Sequence, residues 1–358
     1  MFLAIKEMKY SKLRYTLVIG IILLISYAVF MLSGLANGLA TEFRQVIVDW
    51  NSQTVVLSED SNKNLAASQL TTKNLTNVTA KEKAPISVYN GAIVGKDGKI
   101  DIALFGTDKD AFLLPKVIDG RLFTNKNEII ISKNLADKGF NIVDTIEIGS
   151  YNIKLKVVGI SPETYYTVAP VIYTSLEDVA AVKYGKDFKT NNEELPINAV
   201  VTNSEKVSLT KDATPKLQSL TTDEFINSLP GYSAQNLTLN SMIYFLFVIV
   251  TAIIGIFMYV MTLQKTSIFG VMKAQGISNK FIVDSIIKQS FIIGVIGILL
   301  GFGLAYGTSF ILPNAMPFSV ALNLWIIYSV ILLAVTIIGS LFSIRTVTKV
   351  DAMKAIGG

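Results

Sequence analysis

Neither cysteine nor histidine occurs among the 358 residues of this chain. Without cysteine there is no disulfide, no thiolate nucleophile and no thiolate-bound metal. Without histidine the usual general base, the Ser-His-Asp triad and the commonest zinc ligand disappear too. Charge is scarce: only 16% of residues are Asp, Glu, Lys or Arg, against about 25% in an ordinary soluble protein. Phosphate-cradling glycine loops are also missing. No GxxxxGKS or GxxxxGKT occurs, and Gly185-Lys186-Asp187 lacks both the upstream glycine and the hydroxyl. A P-loop ATPase is excluded, and with it most hydrolase and metalloenzyme chemistry.

What the chain has in abundance is long apolar runs. Hydrophobic residues make up 51% of it, and the mean hydropathy is +0.49. A membrane-crossing helix needs about 20 mostly apolar residues. Four stretches meet that need: Tyr15–Leu35, Leu237–Gln264, Gln289–Leu312 and Leu322–Ile344. The first is too long for a signal peptide and has no small-residue cleavage site, so it reads as a span.

Basic residues orient the spans. Residues 1–14, the loop 265–288 and the tail 345–358 together hold eleven basic and three acidic residues, a balance of +8. Of the chain totals of 32 and 27, this leaves 21 basic and 24 acidic residues elsewhere, or −3. Both termini are therefore expected in the cytoplasm. The basic surplus follows the inner leaflet and gives no support to nucleic-acid binding. The expected organisation is a membrane protein of four transmembrane α-helices, with an α+β extracytoplasmic domain between helices 1 and 2. In order, it runs as a cytoplasmic amphipathic helix (1–14), helix 1 (15–35), the outer domain (36–236), helix 2 (237–264), a coupling helix and loop (265–288), helix 3 (289–312), a short outer loop (313–321), helix 4 (322–344) and a cytoplasmic tail (345–358).

Within the outer domain, β-branched runs predict strands at 53–58, 86–89, 92–94, 100–105, 128–131, 145–148, 151–160 and 197–201. Lys96-Asp97-Gly98 supplies hairpin-turn chemistry. Short helices are expected at 133–138, ended by Gly139, and at 176–183 and 222–229, with weaker helical periodicity around Leu65, Leu70 and Leu75. Nothing there resembles a catalytic constellation.

The segment after the second span is the most informative. Ile268, Phe269, Val271 and Met272, with Lys265 and Lys273, describe a short amphipathic helix near the membrane surface. Gly276 suits its end and Ser278 the start of the next helix. It reads either as a juxtamembrane turn or as a docking element that takes force from a cytoplasmic partner. Further amphipathic segments are 1–14 and the closing KVDAMKAIG. Five glycines in the third span (Gly294, Gly297, Gly301, Gly303 and Gly307) permit close helix contact, within the bundle or with a second copy.

This four-span plan, the QKTSIFGVMKAQG segment, the KVDAMKAIGG tail and the outer GRLFTNKNEIIISKNLADKGFNIVDTIEIGSYNIKLKVVGI resemble the permease subunits of MacB/FtsX-type ABC exporters. FLAIKEMKYSKLRY, SGLANGLA and NAMPF bring the likeness nearest to the haem-exporting permeases of Gram-positive bacteria, the HrtB type. Ala352, where many relatives carry proline, and Ala274-Gln275 depart from the family pattern. The resemblance implies a permease that is not itself an enzyme, in the cell membrane, working as a homodimer with two copies of a separate cytoplasmic ATPase that binds the ATP. The partner would dock on Ile268, Phe269, Val271, Met272, Lys273 and Gly276. The implied cargo is haem, taken from the lipid bilayer, with no permanently bound cofactor. The superfamily leaves two alternatives: export of an antimicrobial peptide or a lipid, and a non-transporting FtsX-like signal transmitter.

If haem is the cargo, the missing histidine and cysteine leave Tyr, Met or a carboxylate as iron ligands. Tyr166 (in ETYYTVAP) and Tyr232 (in PGYSAQN) match tyrosines of the haem-exporting relatives, and Tyr is also a common interface anchor. Tyr27 and Met31 share one helix face, Met242 and Phe245 share another, and Arg44 is a propionate candidate. The competing reading of the Met and aromatic positions is packing or lipid contact. No metal site and no catalytic residue is expected.

Overall fold

The computed structural model describes residues 6–8, 10–96, 98–188, 194–313 and 316–341. The amphipathic tail, residues 1–5 and 9 of the N-terminal amphipathic segment, Asn314 and Ala315 of the NAMPF loop, and Asp97 of the hairpin turn lie outside them. The chain divides into two compact units, Leu39–Gln235 and a second made of Met1–Gly38 with Asn236–Gly358.

The first unit is built on an eleven-stranded sheet. Its strands are β1 (Thr54–Ser58), β2 (Lys83–Gly95), β3 (Gly98–Thr107), β4 (Asp119–Gly120), β5 (Glu128–Ser132), β6 (Thr145–Ile148), β7 (Ile153–Ser161), β8 (Tyr165–Tyr166), β9 (Ala169–Ser175), β10 (Ala199–Thr202) and β11 (Leu217–Thr221). They run in the order β11-β1-β10-β2-β3-β9-β5-β7-β4, with β8 on β9 and β6 on β7. The pairs β9·β3 and β5·β7 are parallel, and the other pairs are antiparallel.

Period-two alternation sends successive side chains to opposite faces. Ala103, Phe105, Ile130, Val171 and Tyr173 join one core, whereas Ile102, Leu104, Ile129, Ile131 and Ile172 join the other. Because both faces are covered, β5 (EIIIS) is buried along its whole length, which explains its unbroken apolar run. The second core is closed by α3 (Leu176–Tyr184) through Val179 and Val182. The first is closed by α4 (Thr222–Ser228) through Phe225 and Ile226, and by Val46, Ile47 and Trp50. Val46 and Ile47 belong to α1 (Lys12–Asp49), which continues well past the apolar run as one 38-residue helix. Leu39, Phe43, Val46, Ile47 and Trp50 recur at helical spacing, so the chain beyond Leu35 stays helical while turning from lipid-type to core-type packing.

Two local expectations are corrected. The weak periodicity at Leu65–Leu75 yields turns, a two-residue strand (Leu70–Thr71) and a 3-10 helix (Thr72–Asn77) instead of an α-helix. There the Thr71 and Asn74 side chains compete for the backbone in a capping box. The segment 133–138 shortens to α2 (Lys133–Ala136) before Gly139 takes its left-handed conformation.

The second unit holds the 12–38 portion of α1, the 236–264 portion of α5 (Tyr232–Gln264), α6 (Thr266–Ala274), α7 (Asn279–Ser309) and α8 (Leu322–Leu341). Among the described residues, α1, α5, α7 and α8 are long and apolar enough to cross a membrane. Their shared core includes Val18, Ile22, Phe30, Ile254, Ile293, Trp325 and Leu332. A Cβ at Gly301 would stand 2.0 Å from Ser26 Oγ, so this glycine lets α7 lie against α1. By contrast, Gly303 and Gly307 have nothing within 4 Å of such an atom.

Candidate functional site

The site candidates fall on three structures. In the sheet unit, β8 and β9 form a two-residue hairpin whose turn is Thr167-Val168, with φ of 47° and 72°. Turns of this hand favour Asn-Gly, because a β-branched residue at positive φ is strained. The turn is held from outside: Thr167 N donates to Phe43 O (3.1 Å) and Val168 N to Glu42 O (3.0 Å). Further along, Thr164 Oγ1 donates to Asp49 Oδ2 (2.8 Å). The hairpin is therefore laced along the 39–49 end of α1.

Tyr166 and Tyr232 belong to the same core beneath this lacing, and they are only 3% and 6% exposed. Tyr166 meets the ring of Phe105 edge-on at 5.1 Å, and Tyr232 lies 5.9 Å from Phe43. Burial pushes the Tyr166 phenol above its ordinary pKa, so it is a packed neutral group here. Arg44 stands apart from them, half-buried, on a cleft of about 580 Å³ shared with Asn51, Glu205 and Asp223.

In the membrane unit, Tyr27 and Met31 pack together against the bundle core. Met242 does not join them: like Phe245 it is exposed, on the outside of α5.

The third structure is α6. Phe269 and Gly270 are buried, Met272 packs on the bundle core, and Ile268 (54% exposed) and Val271 (44%) face outward. Lys273 lies in its last turn. Its end is a Schellman turn: Gly276 N donates to Lys273 O (2.9 Å), Ile277 N to Met272 O (3.0 Å), and Gly276 sits at φ 85°. Ser278 then caps α7 by accepting from Phe281 N (3.3 Å). A half-buried helix, closed by a Schellman turn and carrying an apolar outer stripe, thus lies between two spans.

Sequence reasoning missed the polar cluster at the start of α6. Lys265 Nζ donates to Glu7 Oε2 (3.0 Å) and Tyr15 Oη (3.3 Å). Tyr15 Oη in turn donates to Gln289 Oε1 (2.6 Å). Gln289 Nε2 completes the ring by donating to Glu7 Oε2 and to Ser285 Oγ. A glutamine at the head of an apolar run was the available signal, since polar groups in such runs seek partners.

Two protein families match this chain: the MacB-like periplasmic core domain over residues 16–216, and the FtsX-like permease C-terminal region over 240–352. Among whole proteins, the chain is 29% identical to one of Staphylococcus haemolyticus that is provisionally named hemin transport system permease protein HrtB. That match covers 100% of this chain and 99% of the relative. A Staphylococcus epidermidis protein of the same name is 28% identical, with the same coverage. An uncharacterised ABC transporter permease of Mycobacterium tuberculosis is 23% identical, again over 100% of this chain and 99% of its own. Among solved structures, the extracellular domain of the noncanonic ABC-type transporter YknZ from Gram-positive bacteria aligns at a TM-score of 0.31 and 20% identity. It covers 43% of this chain and 84% of that domain.

Proposed function

From the premise that the chain belongs to the MacB/FtsX family of ABC-transporter permeases, we propose that it exports haem, driven by a separate ATPase. The observation that carries the exporter reading is α6, a short helix between two spans, closed by a Schellman turn, whose Ile268 and Val271 face outward. Two copies of the ATPase would dock there, on two copies of this chain. The charge balance supports a cytoplasmic side for α6 and both termini. ATP hydrolysis belongs to the partner, and this chain supplies cargo binding and mechanical coupling. Haem as cargo is supported by the full-length likeness to relatives named for hemin transport. The donor set agrees, since tyrosine, methionine and carboxylate are the iron ligands the chain can offer.

Tyr166 and Tyr232 are the proposed haem contacts. Both are covered in this conformation, so contact belongs to a second one, in which the Tyr165–Ala169 hairpin leaves the 39–49 segment. That opening breaks the bonds to Glu42, Phe43 and Asp49 and releases the strain at Val168. Arg44 is the proposed propionate partner, and Tyr27, Met31 and Met242 are proposed separately as apolar haem contacts in the membrane.

The test replaces both tyrosines: Tyr166→Phe with Tyr232→Phe. The double variant should lose the Soret band that the purified wild-type chain acquires from hemin, and should lower hemin tolerance in cells. Unchanged absorbance and tolerance would rule out the tyrosine assignment. If the wild-type chain acquires no Soret band either, the result favours a peptide or lipid cargo, or a non-transporting signal transmitter, over haem.

A further inference from the structure

The ring of polar side chains at the start of α6 brings the two charges of Lys265 and Glu7 into the helix bundle. Lys265 and Glu7 are paired there with side chains only 15% and 18% exposed, and Tyr15, Ser285 and Gln289 are buried. Every polar atom of Gln289 is used. Its oxygen accepts from the Tyr15 phenol, and its nitrogen donates to the Glu7 carboxylate and the Ser285 hydroxyl. The Lys265 ammonium also lies 5.7 Å from the Tyr15 ring centroid, within reach of a cation–π contact.

Lys265 is the residue between α5, which ends at Gln264, and α6, which begins at Thr266. Its backbone is not helical (φ −103°, ψ 9°), so the chain alone would make this junction a hinge. Besides its backbone, α6 is held by Phe269 and Met272, which pack on the bundle core, and by Thr266 Oγ1, which donates to Thr262 O (3.4 Å) and Leu263 O (2.6 Å) of α5, bonds that reach neither α1 nor α7. Apolar packing is non-directional and tolerates sliding, whereas a charge-assisted hydrogen bond fixes position. We infer that Lys265 is a positioning residue: by clasping Glu7 and Tyr15, and through them Gln289, it turns the α5–α6 hinge into a rigid joint. A displacement of α6 is thereby delivered at once to α1 and α7.

Neutralising either charge leaves the other buried without its partner, a change that loosens or misplaces the junction. Fixing one arrangement among several is also the best-attested use of buried ionic groups. The source of the displacement rests on the exporter reading, but the rigidity of the joint does not.

Because the chain has no cysteine, two introduced thiols at the exposed Leu13 and Ile268 are its only labelling sites. Spin labels there, in the full chain in lipid nanodiscs diluted with unlabelled chain, read the distance from α1 to α6 within one copy. One narrow distance is expected. Glu7→Gln and Lys265→Met should each lose it, and the exchange of charges, Glu7→Lys with Lys265→Glu, should restore it. If Lys265→Met fails to insert, Glu7→Gln and Tyr15→Phe carry the same test. Hemin efflux from cells should follow the same pattern, low in Glu7→Gln and recovered in the exchange. Single variants that keep both the narrow distance and full efflux overturn the inference. A wild-type chain that moves no hemin refutes the cargo, while the distances still decide the clasp.

Discussion

Lys183 carries its ammonium from the last turn of α3 toward the sheet, where it donates to Ser87 Oγ (3.3 Å) and Asn198 Oδ1 (3.0 Å). Both acceptors are neutral, and burial pushes the pKa of Lys183 down to about 8. The sign of the stability effect follows. Below pH 8 the lysine is charged in the folded and the unfolded chain, and the folded state bears its desolvation cost. Between there and the ordinary lysine value of about 10.4, the unfolded chain holds the proton that the folded one has released. Stability of the sheet domain should therefore rise with pH through that window. Hydrogen exchange of the β2 and β10 amides in the full chain reads it directly. Lys183→Met should flatten the rise, and an equal rise in the variant would show that another group is responsible. Residues of this kind are illegible in sequence, because nothing in VAAVKYG distinguishes a buried lysine from an exposed one. The same holds for Tyr166 and Tyr232, which sequence could place in segments but not in a core. Gly276 and Ser278 are legible because each meets a backbone demand made by its neighbours alone.

Among the elements, those with period-two or long apolar patterns are readable, and those shaped by distant contacts are not. Strands β5 and β6 are evident in EIII and TIEI. The central strand β9 escapes notice because the turn before it is Thr-Val, without the Asn, Asp or Gly that announces a hairpin. That turn persists because the 39–49 segment of α1 accepts its two amides. Strain of this sort costs on the order of 1–3 kcal/mol per residue. Val168→Gly should thus stabilise the docked hairpin by about 1 kcal/mol. Slower exchange of the amides of residues 167 and 168 would reveal this. If opening of the hairpin bares the haem contacts, the same variant should bind hemin about fivefold more weakly. Unchanged exchange would mean that the turn is not strained, and stronger hemin binding that opening is not required.

At the scale of the whole molecule, membrane character is written in composition, and the two units divide where composition changes. The formal +5 of the chain separates into a basic set around the spans and a slightly acidic domain. The ring joining Glu7, Tyr15, Lys265 and Gln289 links residues more than 250 positions apart, so Gln289 in its apolar run signals that a partner exists but no local pattern says which. What the whole chain is held to do is move haem by force delivered through α6. The most direct measurement is the rate at which labelled hemin leaves the membranes of intact cells. It should be compared for cells with the wild-type chain, with none, and with Ile268→Asp and Val271→Asp together. With haem export through α6, the wild type should speed the loss and the α6 variant, present at normal level, should match cells lacking the chain. Equal rates with and without the wild-type chain would contradict it.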